Sequence, residues 1–139
     1  MYAACVRSVM TYGGETWAMK ADLENLLEVT EMKMARWMCG VSLREQKTSK
    51  EIRDRLGIEQ IGEVLRKSRL RWYGHVMRKN DNDGVKQCTL LEVQGKGPRG
   101  GTRKTWDKTV REDMKRKGLK EEDAVDRKRW RKGINAVVR

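Results

Sequence analysis

The sequence predicts an all-α fold, an irregular bundle of about five helices with a flexible basic Gly-rich loop. Three observations carry this. Proline occurs once, at Pro98. Apolar residues recur at helical spacing, and no stretch alternates as a half-buried strand does. Glycine or a capping oxygen stands where several periodic stretches begin or end. With 139 residues, the chain makes one domain or small helical subdomains sharing a core. Hydrophobic and charged residues each make up 37%, which is the polar end of globular proteins. The core must then lean on five Trp and eight Met, with no Phe to help. Methionine makes such a core adaptable.

Taken in order, residues 1–12 read as a short helix with Val6, Val9 and Met10 on one side, ended by Gly13 and Gly14. Residues 15–19 read as a brief extended piece carrying Trp17. Asp22 is placed to cap the next helix, which runs to about Cys39 with Gly40 just beyond it. Leu23, Leu26, Leu27, Met34, Trp37 and Met38 share one face of it and are its predicted core side. Met32, Ala35 and Cys39 lie opposite, so its second half reads as buried on two sides. Thr48 and Glu51 have the spacing of a capping box. The helix they open is short, Ser49 to Leu56, with Ile52 and Leu56 as its core contacts and Gly57 at its end.

The next helix covers roughly Gln60 to Lys79. Ile61, Val64, Leu65, Trp72 and Val76 form one apolar face, and Leu70, Tyr73 and Met77 a second. Between them runs a stripe of Lys67, Arg71 and Arg78, with Gly74 in the gap. Glycine there admits either a packed helix or a phosphate. Residues 80–84 form a polar loop, and Val85 to Val93 fits a helix or a short strand. Residues 95–104 are the flexible basic loop. A further helix spans about Thr105 to Lys117, with Trp106, Val110 and Met114 inward and Gly118 at its end. The last helix is predicted to start near Lys120. It places Glu121, Glu122 and Asp123 in its first turn and Arg127 to Lys132 in its last turns, with an Asp123–Arg127 pair.

Charge is unevenly spread. The chain carries +12 overall. Residues 1–40 hold four basic and five acidic groups, residues 41–83 eleven and seven, and residues 84–139 seventeen and eight. The sequence therefore divides into 1–40, 41–83 and 84–139, a scaffold end leading to an end suited to polyanions. Cys5, Cys39 and Cys88, with His75 alone, make neither a disulfide framework nor a zinc motif. The reading is a reducing interior, nuclear or cytoplasmic, with no membrane partner, metal or cofactor. Adjacent aspartates for two-metal chemistry, nucleophile motifs and a phosphate-binding glycine loop are absent from the sequence, so no catalytic residue is assigned. His75 reads as structural, near Trp72.

What remains is a binding pattern. Cations recur beside aromatics at Arg69 to Tyr73, Arg103 to Trp106 and Arg127 to Lys132. The candidate phosphate contacts are Lys67, Arg69, Arg71, Arg78, Lys79, Lys96, Arg99, Arg103, Lys104, Arg127, Lys128, Arg129, Arg131 and Lys132. Trp72, Trp106 and Trp130 read as the core anchors of the elements that carry them.

Several blocks go beyond composition. They are Tyr12-Gly13-Gly14-Glu15-Thr16-Trp17, Arg36-Trp37-Met38-Cys39-Gly40-Val41, Leu70-Arg71-Trp72-Tyr73-Gly74-His75-Val76-Met77-Arg78, Arg103-Lys104-Thr105-Trp106 and Asp123-Ala124-Val125-Asp126-Arg127-Lys128-Arg129-Trp130. In this order they resemble the region after the polymerase core in endonuclease–reverse transcriptases of non-LTR (LINE-type) retrotransposons. The resemblance implies thumb-like or junction helices in residues 1–40 and a C-terminal domain after them. It implies element RNA, an RNA–DNA hybrid or target DNA as partner, and the upstream polymerase core as a second. The intact family protein is an RNA-directed DNA polymerase, and this fragment lacks the palm aspartates and the endonuclease. Two departures stand out. The family's Gly-Arg-Pro-Arg is Gly100-Gly101-Thr102-Arg103 here, which removes an AT-hook-like element, and Lys120 replaces a capping threonine. Both suit a decayed or repurposed copy. Rival readings are a protein-docking module, favoured by exposed Trp17 and Trp37, and a translated relic.

Overall fold

Local chemistry sets most helix boundaries in the structure, a computed structural model that describes residues 2–91 and 104–136. Those residues form seven α-helices, two 3-10 turns and no strand. The helices are α1 (Tyr2–Thr11), α2 (Ala21–Met38), α3 (Ser49–Leu56), α4 (Ile61–Met77), α5 (Gly84–Leu90), α6 (Trp106–Lys117) and α7 (Arg127–Asn135). The all-α prediction holds. Residues 15–17 are turn and bend where an extended piece was predicted, and Val85 to Leu90 of the ambiguous stretch are helical. Residues 92–103, including Lys96, Arg99 and Arg103, lie outside the described residues.

Capping explains the starts and stops. Thr48 accepts from the Glu51 N–H while Glu51 accepts from the Thr48 N–H, the reciprocal box its spacing predicts. Asp83 caps α5 and Thr105 caps α6. Gly57 and Gly118 end α3 and α6 in the left-handed region, at φ 62° and 64°, where a Cβ would be strained. Asp22 does not cap α2. Lys20 holds that position without a side-chain bond, and Asp22 sits in the first turn, where its charge suits the helix dipole.

The chain divides into two compact units, Met1–Gly14 with Met19–Leu65, and Glu15–Ala18 with Arg66–Arg139. The sequence boundaries at 40 and 83 do not coincide with this division. The first unit has two small cores. Met19, Ile61 and Leu65 form one, with Met10 and Leu27 against it. Ala35, Val41 and Ile52 form the other, with Met32, Cys39, Leu56 and Ile58. Glu31 is buried on α2, held by the Arg7 guanidinium at 3.2 Å and the Tyr2 hydroxyl at 3.2 Å. Burial and the adjacent Glu31 charge push the Tyr2 phenol up to about 12.

The predicted core face of α2 is a correction. Leu23, Leu26, Trp37 and Met38 are exposed, Trp37 at 84%, whereas Ala35 and Glu31 turn inward. Helical periodicity locates an apolar stripe, and here that stripe faces outward from its own unit.

The second unit has a single larger core cluster, built from Leu70 and Tyr73 of α4, Val110 and Met114 of α6, Ala124, and Trp130 and Ile134 of α7. The last predicted helix is broken in two. Glu121–Ala124 is a 3-10 turn, and α7 starts afresh after Asp126, whose carboxylate accepts from the Lys128 and Arg129 N–H groups at 2.8 and 3.2 Å. Asp123 pairs with Arg129 at 2.9 Å, not with Arg127. Asp123 also accepts from the Lys120 N–H at 3.0 Å, closing the 3-10 turn. Local carboxylate–backbone bonds at Asp123 and Asp126 thus compete with helix continuity and prevail. None of the helices in the described residues is long and apolar enough to cross a membrane.

Candidate nucleic-acid interface

α4 and α7 are fastened by one side chain. Trp130, on α7, is 2% exposed and donates its indole N–H to the Leu70 carbonyl of α4 at 2.8 Å. Gly74 makes room for it. A Cβ on Gly74 would overlap the Trp130 ring. Of the two roles open to Gly74 in the sequence, close packing is the one the structure adopts.

Around this joint lies a concavity of about 810 Å³. Arg71 and His75 line it from α4 and Arg78 from the residue just past its end, at positions i, i+4 and i+7, and Arg127 and Arg131 line it from α7, at i and i+4. Trp130 and Ile134 form its apolar floor. Among the described residues no carboxylate lines it. Arg71, His75, Arg127 and Arg131 are exposed. Arg78 is oriented by a 2.7 Å bond from its Nη1 to the Ala124 carbonyl. Burial lowers its pKa, and the nearby Arg127 charge lowers it further. Arginine stays protonated regardless, so the cleft holds like charges facing one another. An anion between them relieves that repulsion and meets planar donors suited to phosphate oxygens.

The break before α7 changes how its basic run is to be read. Arg127, Lys128 and Arg129 fill the first turn of α7, and Lys132 lies in its last turn. Cations at a helix N-terminus oppose its dipole. The dipole therefore does not account for Arg127 and Lys128, whereas it suits Lys132, and Asp123 pairs with Arg129.

The remaining predicted contacts divide. Lys128 and Lys132 are exposed on α7. Arg129 is 72% exposed at its side chain but is paired with Asp123. Lys79 is held by Asp83 at 3.1 Å and Lys104 by Glu112 at 2.7 Å. Lys67 is half-buried and has interactions within the fold. Arg69 is the clear correction. It is 2% exposed, and its Nε lies 2.8 Å from Asp113 inside the second unit, where no phosphate reaches it. His75 was not among the predicted contacts. Its spacing from Arg71 and Arg78 was the signal that places it on the same stripe.

Among the described residues no three His, Cys, Asp or Glu side chains gather as a cation cage. Asp81 and Asp83, the polar-loop acids, accept from Lys86 and Lys79, and these bonds hold both carboxyls below their ordinary range.

The fold and site thus define a small basic helical chain with an arginine-lined cleft. No family model matches the sequence, and no solved structure matches it. A putative uncharacterized transposon-derived protein of Caenorhabditis elegans is 27% identical over 85 residues, which is 58% of this chain and 30% of that protein. The chain thus matches less than a third of that relative's length. The likeness supports a transposon origin.

Proposed function

We propose that this chain is a non-catalytic nucleic-acid-binding piece from the C-terminal region of a retrotransposon reverse transcriptase. The arginine cleft of the second unit is the observation that supports it. Four guanidiniums converge there, with no carboxylate among the described residues, on a floor fixed by Trp130. The phosphate backbone is the ligand such a cleft suits, because Arg–phosphate contacts position a strand whatever its sequence. The family resemblance supplies the biological partners, namely element RNA, RNA–DNA hybrid or target DNA.

The test is fluorescence anisotropy of labelled RNA hairpin, RNA–DNA hybrid and duplex DNA across a salt series, with heparin as control. Four phosphate contacts give a slope of log affinity against log salt of roughly −3 to −4. Arg71→Glu with Arg131→Glu should weaken binding at least tenfold and flatten that slope by about 1.5 to 2, with helicity unchanged. Equal binding to all four polyanions, insensitive to this double change, would leave only a diffuse field of +12.

A second reading has its own observation. The outward stripe of α2, with Leu26 62% and Trp37 84% exposed, is a surface suited to protein contact. Its occupant on this reading is the polymerase core that precedes this region in the family.

A further inference from the structure

We propose that a second concavity, beside Trp72, takes an unpaired nucleobase of the strand whose phosphates occupy the arginine cleft. This inference rests on the nucleic-acid reading above and adds to it a preference for single-stranded over duplex segments.

The pocket has a volume of about 590 Å³, within the range of about 300–1,000 Å³ usual for small-ligand sites. Its walls are Trp72 of α4, Val85, Cys88 and Thr89 of α5, and Trp106 and Asp107 of α6. All belong to the second unit. Trp72 is the informative wall. The sequence places it on the apolar face with Val76, yet it joins no core cluster and is only half-buried, whereas Tyr73 and Val76 beside it are buried. The Trp72 indole meets the His75 ring and also lines the pocket, where aromatic surface is presented to a ligand. Trp106 is held rigidly, since its indole N–H donates to the Glu15 carbonyl at 2.7 Å. A fixed indole costs little order on binding.

The pocket and the cleft adjoin. His75 lines the cleft, and its ring lies 5.7 Å from that of Trp72, tilted by 38°. Arg71, Trp72 and His75 fall within one turn of α4, so a single turn presents a phosphate contact and a stacking surface together. Basic grooves that track a backbone beside aromatics that stack on bases are how single strands are held. Duplex DNA keeps its bases stacked and offers no ring to Trp72.

Charge separates the two sites. Among the described residues Asp107 is the one charged side chain lining the pocket. A carboxylate there repels phosphate and keeps the backbone in the cleft. It also accepts a hydrogen bond from an exocyclic amino group, which adenine, cytosine and guanine carry and uracil and thymine lack. Asp107 already meets Arg111 at 3.0 Å, which leaves one carboxylate oxygen for a base.

The experiment uses the full chain and four labelled probes of one length: a single strand of adenine and cytosine, the same strand with abasic sites, a thymine strand, and a duplex. Trp72→Leu should lower single-strand affinity about tenfold and leave duplex and heparin binding unchanged. Tryptophan fluorescence should be quenched by the intact strand and not by the abasic one. Asp107→Asn should narrow the advantage of adenine–cytosine strands over thymine strands. If Trp72→Leu leaves single-strand affinity intact, or the abasic strand binds as well as the intact one, the pocket takes no base. The nucleic-acid reading then still stands, provided that Arg71→Glu with Arg131→Glu weakens all probes. If no probe binds, both ideas fall. Circular dichroism of Trp72→Leu guards against unfolding, and should it unfold, Trp72→His, which keeps a stacking ring, decides by retaining the single-strand preference.

Discussion

Arg69 and Asp113 show how much one pair can decide. Both are buried, at 2% and 4% exposure, and the guanidinium meets the carboxylate at 2.8 Å. Arg66 adds a second, longer contact to Asp113 at 3.8 Å. Removing one partner strands the other charge in the core. Asp113→Ala should therefore cost about 3–5 kcal/mol, while Arg69→Met with Asp113→Leu should fall close to the parent. Urea denaturation followed by circular dichroism reads both. A double variant as unstable as the single one would mean that the pair also meets a hydrogen-bonding need that apolar side chains do not. The linear sequence hides this pair, because Arg69 lies in a cationic run and its partner is 44 residues away. A partial signal was present. Leu65, Arg69, Trp72 and Val76 follow helical spacing, so Arg69 lies on an apolar face. His75 was hidden for the converse reason, since a lone histidine near tryptophan looks like core until the arginines on either side are counted as one stripe.

At the scale of elements, boundaries written in nearby atoms were legible. The Thr48–Glu51 box, Gly57 and Gly118 each act within four residues, and the structure uses them as read. The last helix failed because Asp126 is both an acceptable helical residue and a strong cap. Only the packing of Trp130 and Ile134 selects the cap. This makes α7 dependent on acidity. The backbone N–H groups of Arg129 and Lys128 hold the Asp126 carboxyl below its ordinary range. A carboxyl depressed by folding stabilises fully above its unfolded value, about 3.9. That stabilisation is lost as pH falls through the lower, folded value. Asp126→Asn keeps an accepting oxygen but does not titrate. The parent should therefore lose more thermal stability between pH 5 and pH 2.5 than Asp126→Asn does, measured as Tm at each pH. Parallel curves would show that the cap does not couple to the fold. Because Glu45, Asp81, Asp83 and Glu112 are also depressed, the difference between the two proteins is the informative quantity.

For the molecule as a whole, helix content was legible and facing was not. α4 illustrates why, because its first turns carry Ile61 and Leu65 into a core of the first unit and its later turns carry Leu70 and Tyr73 into that of the second. A wheel shows that two apolar faces exist but not which unit each serves. On α2 the same limit left Leu26, Val29 and Trp37 assigned inward or unassigned, though all three are more than half exposed. They fall on one side of the helix with Leu23, opposite Ala35. An apolar stripe of this kind, on the unit poorest in positive charge, should bind by burial and not by charge. It should therefore hold its partner as salt rises, the reverse of the arginine cleft. On the proposed reading, mixing the chain with a polymerase core of the retrotransposon family and following sedimentation velocity at 0.1 and 0.5 M salt separates the two modes. Trp37→Glu should weaken that complex more than tenfold, as loss of a central tryptophan does at protein interfaces, and leave nucleic-acid affinity unchanged. A complex that disperses at 0.5 M salt, or that tolerates Trp37→Glu, would remove α2 as the docking face. Association of the chain with itself, abolished by Trp37→Glu, would instead make a second copy its occupant.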